Sequence, residues 1–111
     1  MITQRDLLLV PFPFSDQSGK KVRPVIVMSN DEFNLKSEGI IVIGVTSNIS
    51  KDKYAVLLEN MNLEEGKLTD QCCAKVENIL KLDKSLVIKK IGKISIKKFN
   101  EILVLLESIF K

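Results

Sequence analysis

The position of Arg23 suggests chemistry more strongly than that of any other residue in the chain. Of 17 Lys and Arg residues, only Arg5 and Arg23 are arginines. Arg23 directly precedes Pro24 at the start of an apolar run, and a residue before proline is held in extended geometry. The planar guanidinium stays protonated and can bind a phosphate through two parallel hydrogen bonds. Because its backbone has few alternatives, Arg23 can be aimed at one point, as a phosphate-contacting group requires.

Thr46 and Ser47 place hydroxyl groups at the end of a second apolar run. If the strands that carry Arg23 and Thr46 lie close together, the two side chains share one pocket. The residues alone leave simpler explanations open. A salt bridge at the start of a strand accounts for Arg23, and ordinary β propensity accounts for Thr46.

Several kinds of catalytic site are excluded by composition. The chain has no histidine, so it has no imidazole acid or base and no His-dependent triad. No Gly-rich phosphate-binding loop is present, and no carboxylates have metal-ligand spacing. Cys72 and Cys73 are adjacent, so on a strand they point to opposite faces and cannot easily bind one metal. We therefore expect no metal site, and two buried or half-buried thiols in a reducing compartment.

The N-terminus and the charge distribution indicate the location of the protein and its partner only weakly. No apolar run approaches the ~18 residues of a membrane helix, and the N-terminus does not resemble a signal peptide, so we expect a cytoplasmic protein with no membrane contact. The net charge is +3, with nine acidic and seven basic residues in 1–66 but five and ten in 67–111. A basic C-terminal part favours a phosphate backbone as partner, but on charge alone a solvated lysine-rich surface is the better explanation.

The hydrophobic pattern predicts a single mainly β domain over residues 1–111. A polar loop, 14–21, separates the first two strands, and 82–86 reads as a turn that Asp83 can cap. From Ser95 onward, apolar residues at three-and-four spacing predict an amphipathic C-terminal helix capped by Ser95. We expect a small, strongly bent antiparallel sheet or barrel, with the helix over one open edge or end. The predicted strands are 6–12, 24–29, 39–47, 54–59, 69–78 and 88–95.

Three segments together resemble the MazF/PemK family of toxin endoribonucleases. The first is "LLLVPFPFSDQSGKKVRPVIVMSN", an apolar strand, a polar loop, and Arg-Pro before an aliphatic strand. The second is "IIVIGVTSN", a strand that ends in Thr-Ser, and the third is "LDKSLVIKKIGKIS", a turn, a strand and a Gly motif before the last helix. Each segment is weak evidence alone, but the three occur in the family's order and spacing.

The resemblance implies an SH3-like barrel, a homodimer, and metal-independent cleavage of single-stranded RNA without a cofactor. It implies that a ribose 2′-hydroxyl attacks its own 3′ phosphate, which leaves a 2′,3′-cyclic phosphate and a 5′-hydroxyl and inhibits translation. Arg23 and Thr46 correspond to the catalytic pair, and the protein partner is an antitoxin whose tail occupies the RNA groove. No residue is assigned as the general base. The residues expected to bind RNA are Ser15, Asp16, Gln17, Ser18, Gly19, Lys20, Lys21 and Ser47.

One position departs from the family pattern. Leu80 stands where many MazF-type members have a second arginine, and Lys75, Lys81 or Glu77 are alternative replacements for it. Two rival functions also remain: a CcdB-like toxin that poisons gyrase through protein binding, and a non-catalytic SH3-like interaction module. The Arg-Pro and Thr-Ser pair favours the ribonuclease, because a pure binding module does not need it.

Overall fold

The computed structural model describes residues 1–12, 21–49 and 51–111, which form a seven-stranded sheet with two helices. All strand pairs in the sheet are antiparallel. Two short 3-10 turns, Asn60–Asn62 and Lys84–Leu86, connect strands. In chain order the elements are β1 (Asp6–Phe12), β2 (Lys21–Val27), α1 (Asp31–Lys36), β3 (Gly39–Thr46), β4 (Ala55–Leu58), β5 (Leu63–Gly66), β6 (Cys72–Asp83), β7 (Lys89–Ile94) and α2 (Ile96–Ser108).

The strand order requires the sheet to curl. The order across the sheet is β4-β6-β3-β2-β1-β7-β5, so β4 and β5 form its two edges. In a flat sheet these edges would be about 29 Å apart, at about 4.8 Å per strand spacing. The chain nevertheless passes from Leu58 to Leu63 through only the short 59–62 connection, which reaches at most about 17 Å. The edges must therefore approach each other, which gives the strongly bent, barrel-like sheet that the sequence predicted.

Apolar side chains cover both faces of the central strands. In β3, Ile43 and Val45 belong to one buried cluster, whereas Ile40 and Val42 belong to another. Strand residues alternate between faces, so the nearly continuous apolar run of β3 supplies two cores at once, as predicted. The first cluster contains Leu7, Ile26, Met28, Ile43, Val45, Val56, Leu58, Cys72, Ala74, Val76, Ile94, Phe99 and Ile102. The second cluster contains Leu8, Val10, Val25, Val27, Ile40, Val42 and Leu82.

The C-terminal helix packs on the first cluster. The Ser95 hydroxyl accepts a hydrogen bond from the Lys98 amide at 3.1 Å, so the predicted N-cap is confirmed. Phe99 and Ile102, three residues apart on one helical face, are buried in that cluster with side chains from the strands. The helix thus packs against the bent sheet through the first cluster.

A β-bulge in β6 changes which of its residues face each cluster. Ile43 pairs with Ile79 but the next residue, Gly44, pairs with Lys75, so three extra residues lie on β6. An odd number of extra residues reverses the alternation of side chains. Cys72, Ala74 and Val76 consequently face the first cluster, whereas Leu82 faces the second.

Four elements differ from the sequence prediction. Strand β2 begins at Lys21, three residues before the predicted start at 24. Helix α1 was missed because six residues are too few to show a helical period, although Asn30 caps it by accepting from the Phe33 amide. Strand β5 was missed because it is mostly polar and exposed. Strand β6 continues to Asp83, beyond the predicted end at residue 78, because the bulge interrupts its pattern. The predicted turn is present, and Asp83 caps it by accepting from the Ser85 amide at 2.8 Å.

Both cysteines are buried thiols, as predicted. Cys72 lies in the first cluster, and burial, with a smaller contribution from neighbouring Cys73, raises the pKa of its thiol to about 11. Cys72 is therefore a protonated core residue at neutral pH. No helix in the described ranges is long and apolar enough to cross a membrane.

Candidate active site

The two arginines have different environments. Arg5 donates to the Ile94 carbonyl oxygen at 2.8 Å and to the Glu64 carboxylate at 2.6 Å, so its guanidinium is used within the fold. Arg23 is half-buried in β2, opposite Val10 of β1. Among residues 1–12, 21–49 and 51–111, Arg23 has neither an ion pair nor a side-chain hydrogen bond. The structural salt bridge that would have explained Arg23 is absent from this part of the chain.

Strand register brings Thr46 close to Arg23. The paired residues of β2 and β3 end with Val25 opposite Gly44. When this register is continued two residues outward, Arg23 lies opposite Thr46, on the same face of the sheet. The pairing of β2 with β3 ends at Val25 and Gly44, so Arg23 and Thr46 lie two residues beyond the last paired residues. Arg23 and Thr46 therefore come from neighbouring strands at the same end of the sheet.

The Thr46 hydroxyl is oriented by its own turn. Its Oγ1 atom accepts a hydrogen bond from the Asn48 amide at 3.1 Å. A hydroxyl that accepts in this way keeps its proton available for donation. Thr46 can therefore donate to a phosphate oxygen without losing the contact that holds it.

Arg23 also lines a groove of about 520 Å³ at this end of the sheet. The floor is apolar and consists of buried or half-buried side chains, whereas the rim is polar and mostly exposed. Three rim residues are cationic and one is acidic, so the rim favours an anion. The floor includes Leu9, Pro24, Val45, Leu68 and Ile91, and the rim includes Arg23, Ser47, Lys67, Asp70 and Lys89.

An ion-pair cluster joins β6 to the segment before β4, beside the candidate pair. Lys75 Nζ is 3.1 Å from Asp52 Oδ2 and 3.6 Å from Glu77 Oε2, and Cys73, two residues before Lys75, is opposite Thr46. The hydrogen bond from Lys75 lowers the pKa of Asp52, and the same bond raises the pKa of Lys75. Both groups are therefore charged at neutral pH, and the lysine is neutralised by its neighbours.

The predicted site residues differ in where they lie relative to the groove. Arg23 and Ser47 line one groove, and Thr46 is adjacent to Arg23 by register without lining that groove. Six of the predicted RNA-binding residues, 15–20, lie outside the described residues. The backbone of Lys21 begins β2.

Leu80 and the three residues that could replace the second arginine of the family make contacts within the fold. Leu80 is half-buried and packs against the second cluster. The Lys81 ammonium lies 6.0 Å from the centre of the Phe33 ring. Lys75 and Glu77 pair with each other.

Sequence reasoning missed Lys67, Asp70 and Lys89 as groove residues. Lys89 faces Leu9 across β1 and β7, and Leu9 in turn faces Pro24 across β1 and β2. The basic excess of residues 67–111 was the only signal for these lysines, and it could not locate them. In the described segments, no three His, Cys, Asp or Glu side chains are grouped closely enough to hold a metal ion.

Comparison with known proteins identifies the family. The model of PemK-like and MazF-like toxins of type II toxin-antitoxin systems matches residues 3–110. The chain belongs to this family. An endoribonuclease MazF from Staphylococcus saprophyticus is 33% identical over 94 residues, which cover 85% of this chain and 76% of that protein. The membership predicted from the Arg-Pro, Thr-Ser and Gly segments is confirmed.

Solved structures show that the fold is that of MazF toxins. MazF from Deinococcus radiodurans superposes with a TM-score of 0.79 at 18% identity and covers 98% of this chain and 96% of its own. A mycobacterial endoribonuclease in complex with its cognate antitoxin has a TM-score of 0.76 at 13% identity and covers 99% and 95%. The mainly β MazF/PemK-like architecture with a C-terminal helix is thus confirmed.

Proposed function

We propose that this toxin, an endoribonuclease of the MazF/PemK family, cleaves single-stranded RNA through Arg23 and Thr46. The supporting observation is that Arg23, uncommitted among the described residues, adjoins Thr46 by register and borders a groove with a cationic rim. Arg5, in contrast, binds Glu64 and the Ile94 carbonyl oxygen and so stabilises the fold. An arginine that is half-buried and has no partner in that part of the chain is suited to a phosphate ligand.

The proposed reaction is an attack by a ribose 2′-hydroxyl on the adjacent 3′ phosphate. The new O–P bond forms as the bond to the 5′ oxygen of the next nucleotide breaks, which leaves a 2′,3′-cyclic phosphate and a 5′-hydroxyl. The 2′-hydroxyl loses its proton, and the departing 5′ oxygen gains one. Arg23 stabilises the negative charge on the non-bridging oxygens, and Thr46 donates to one of them while Asn48 holds its hydroxyl.

The groove orients the strand for this reaction. In-line attack requires the 2′-oxygen, the phosphorus and the leaving oxygen to be aligned, and alignment alone can supply a large part of the rate. We assign Ser47 and the polar loop, residues 15–21, to holding the RNA. A duplex fixes the ribose away from this geometry and hides the base edges, so single strands are the substrate.

The remaining parts of the proposal concern assembly. Residues 1–111 act as one toxin domain, two copies of the chain form a homodimer, and an antitoxin protein occupies the RNA groove. The mycobacterial structural relative was solved in complex with its cognate antitoxin, which supports an antitoxin as the partner. The toxin acts on mRNA in the cytoplasm and inhibits translation, and two buried thiols suit that reducing compartment.

The decisive experiment compares RNA cleavage by Arg23 and Thr46 variants. Arg23→Ala should reduce the rate about a hundredfold or more, by analogy with the loss of an oxyanion donor, and Arg23→Lys should also fail because it lacks the planar fork. Thr46→Val removes the hydroxyl and should be crippled, whereas Thr46→Ser restores the donor and should retain substantial activity. Melting curves of all four variants separate lost chemistry from lost folding. A folded Arg23→Ala protein with the wild-type rate would eliminate this site.

A second comparison tests the nucleophile. A single 2′-deoxy substitution at the scissile nucleotide should abolish cleavage at that position, and cleavage of the unmodified strand should persist in EDTA. Intact cleavage of the 2′-deoxy strand would exclude attack by the 2′-hydroxyl. A trapped complex of gyrase and supercoiled plasmid, with no RNA fragments, would instead favour the CcdB-like function.

A further inference from the structure

We propose that Lys67 and Lys89 form, with Arg23, a phosphate-binding rim that holds the RNA backbone beside the scissile phosphate. This inference rests on the proposed function of Arg23 and extends its site along the strand. The three residues come from β2, from the segment after β5 and from β7, and all line the same groove.

A row of paired residues across the sheet connects Lys89 to the strand that carries Arg23. Pro24 faces Leu9, and Leu9 faces Lys89, so these residues occupy neighbouring positions on three adjacent strands. Two strand spacings separate Lys89 from Pro24 by about 10 Å. Arg23, the residue before Pro24, lines the same groove as Lys89, so the long side chains of both can contact phosphates of one strand there.

A close approach between the backbones of β5 and β7 positions Lys67. Gly66 of β5 faces Gly92 of β7, and Gly66 has a φ of 81°. A Cβ atom at Gly66 would lie 2.1 Å from the Ile91 carbonyl oxygen, which no side chain can accommodate. The absence of side chains lets β5 lie against β7, and Lys67 follows directly after Gly66. The glycine pair thereby places Lys67 at the rim.

The lysines of the chain differ in whether a carboxylate already neutralises them. Lys75, Lys90 and Lys98 each contact a carboxylate, at 3.1 to 3.3 Å. Within the described part of the chain, Lys67 and Lys89 have no ion pair, and both side chains are exposed. Their charges are therefore available to a ligand.

The shape of the groove identifies the ligand as a nucleotide strand. A cationic rim suits a phosphate backbone, and the apolar floor of Leu9, Leu68 and Ile91 suits the face of a base. The groove volume of about 520 Å³ accommodates one nucleotide that flanks the cleavage point. Lysines that contact phosphates position the strand without reading its sequence.

The test measures binding of a randomised-sequence, fully 2′-O-methylated single-stranded RNA, which the toxin cannot cleave. Fluorescence anisotropy gives the affinity between about 50 and 200 mM salt, where each phosphate contact to a single strand contributes a slope of about −0.7. Wild-type affinity falls about 2.6-fold over this range for each contact. Lys67→Ala and Lys89→Ala should each remove about one contact. Over this range the affinity of the double variant should therefore fall by a factor about sevenfold smaller than the wild-type factor.

Lys97→Ala is the matched control, because Lys97 is exposed on α2 and does not line the groove. This variant has the same charge change and should keep the wild-type slope. On cleavable RNA, the groove variants should raise KM and leave kcat near wild type, since neither lysine contacts the reacting atoms.

Two results would overturn this inference while leaving the proposed function intact. One is a salt slope in the Lys67→Ala and Lys89→Ala double variant equal to that of Lys97→Ala. The other is a fall in kcat with unchanged KM. Both would be observed in a protein that still cleaves RNA through Arg23. If Arg23→Ala cleaves normally, the proposed function itself fails, and the two failures are therefore distinguishable.

Discussion

The partners of Arg5 predict that this arginine stabilises the fold and contributes nothing to the chemistry. Arg5→Ala removes a charge-assisted hydrogen bond to the Ile94 carbonyl, worth about 1.5 kcal/mol. It also removes a pair with Glu64, whose carboxylate is about half exposed, so this contact adds less than about 1 kcal/mol. The free energy of unfolding should therefore fall by about 2 kcal/mol. For a chain of this size, the melting temperature should fall by about 8 °C.

The backbone of Arg5 allows a second variant that separates side chain from strain. Arg5 has a φ of 79°, a left-handed conformation that costs an L-residue about 1 kcal/mol relative to glycine. Arg5→Gly loses the same side-chain contacts as Arg5→Ala but relieves the backbone. It should consequently melt about 4 °C above Arg5→Ala, although glycine usually destabilises a chain.

Thermal unfolding monitored by circular dichroism measures these differences. RNA cleavage by both Arg5 variants, assayed well below their melting temperatures, should remain near the wild-type rate. Arg23→Ala should show the opposite pattern, with an unchanged melting temperature and little cleavage. A wild-type melting temperature for Arg5→Ala, or a lower one for Arg5→Gly than for Arg5→Ala, would refute the assigned roles of these contacts.

Two further predictions concern the core. Ile102→Ala removes a fully buried side chain from the first cluster and should lower the free energy of unfolding by about 3 kcal/mol. Val104 is 67% exposed on the same helix, so Val104→Ala should change the free energy of unfolding by less than about 0.5 kcal/mol. Urea titrations of both variants measure the difference. Since burial raises the pKa of the Cys72 thiol from 9.0 to about 11, the unfolded state releases this proton more readily, so the thiol should reduce stability as pH rises above 9. Urea titrations between about pH 8 and 11 should show a smaller loss in Cys72→Ala than in wild type, and equal losses would contradict the assigned burial.

The sequence was most informative where structure depends on near neighbours. The apolar spacing after Ser95 and its cap predicted α2, and the continuous apolar run of β3 predicted burial on both faces. The Arg-Pro pair likewise indicated Arg23 as a candidate site residue, because the proline restricts the preceding residue directly. Order and spacing of the three motifs then identified the family.

Residues that are distant in the chain but close in space required the tertiary structure. Nothing near Lys67 or Lys89 in the sequence indicates that either shares a groove with Arg23, because strand order and register bring them together. The three-residue bulge in β6 similarly decides which face Leu82 occupies, and no local pattern records such an insertion. Sequence periodicity reports how a segment presents its own side chains, whereas a binding groove depends on pairing between strands, whose register is set by packing of the whole sheet.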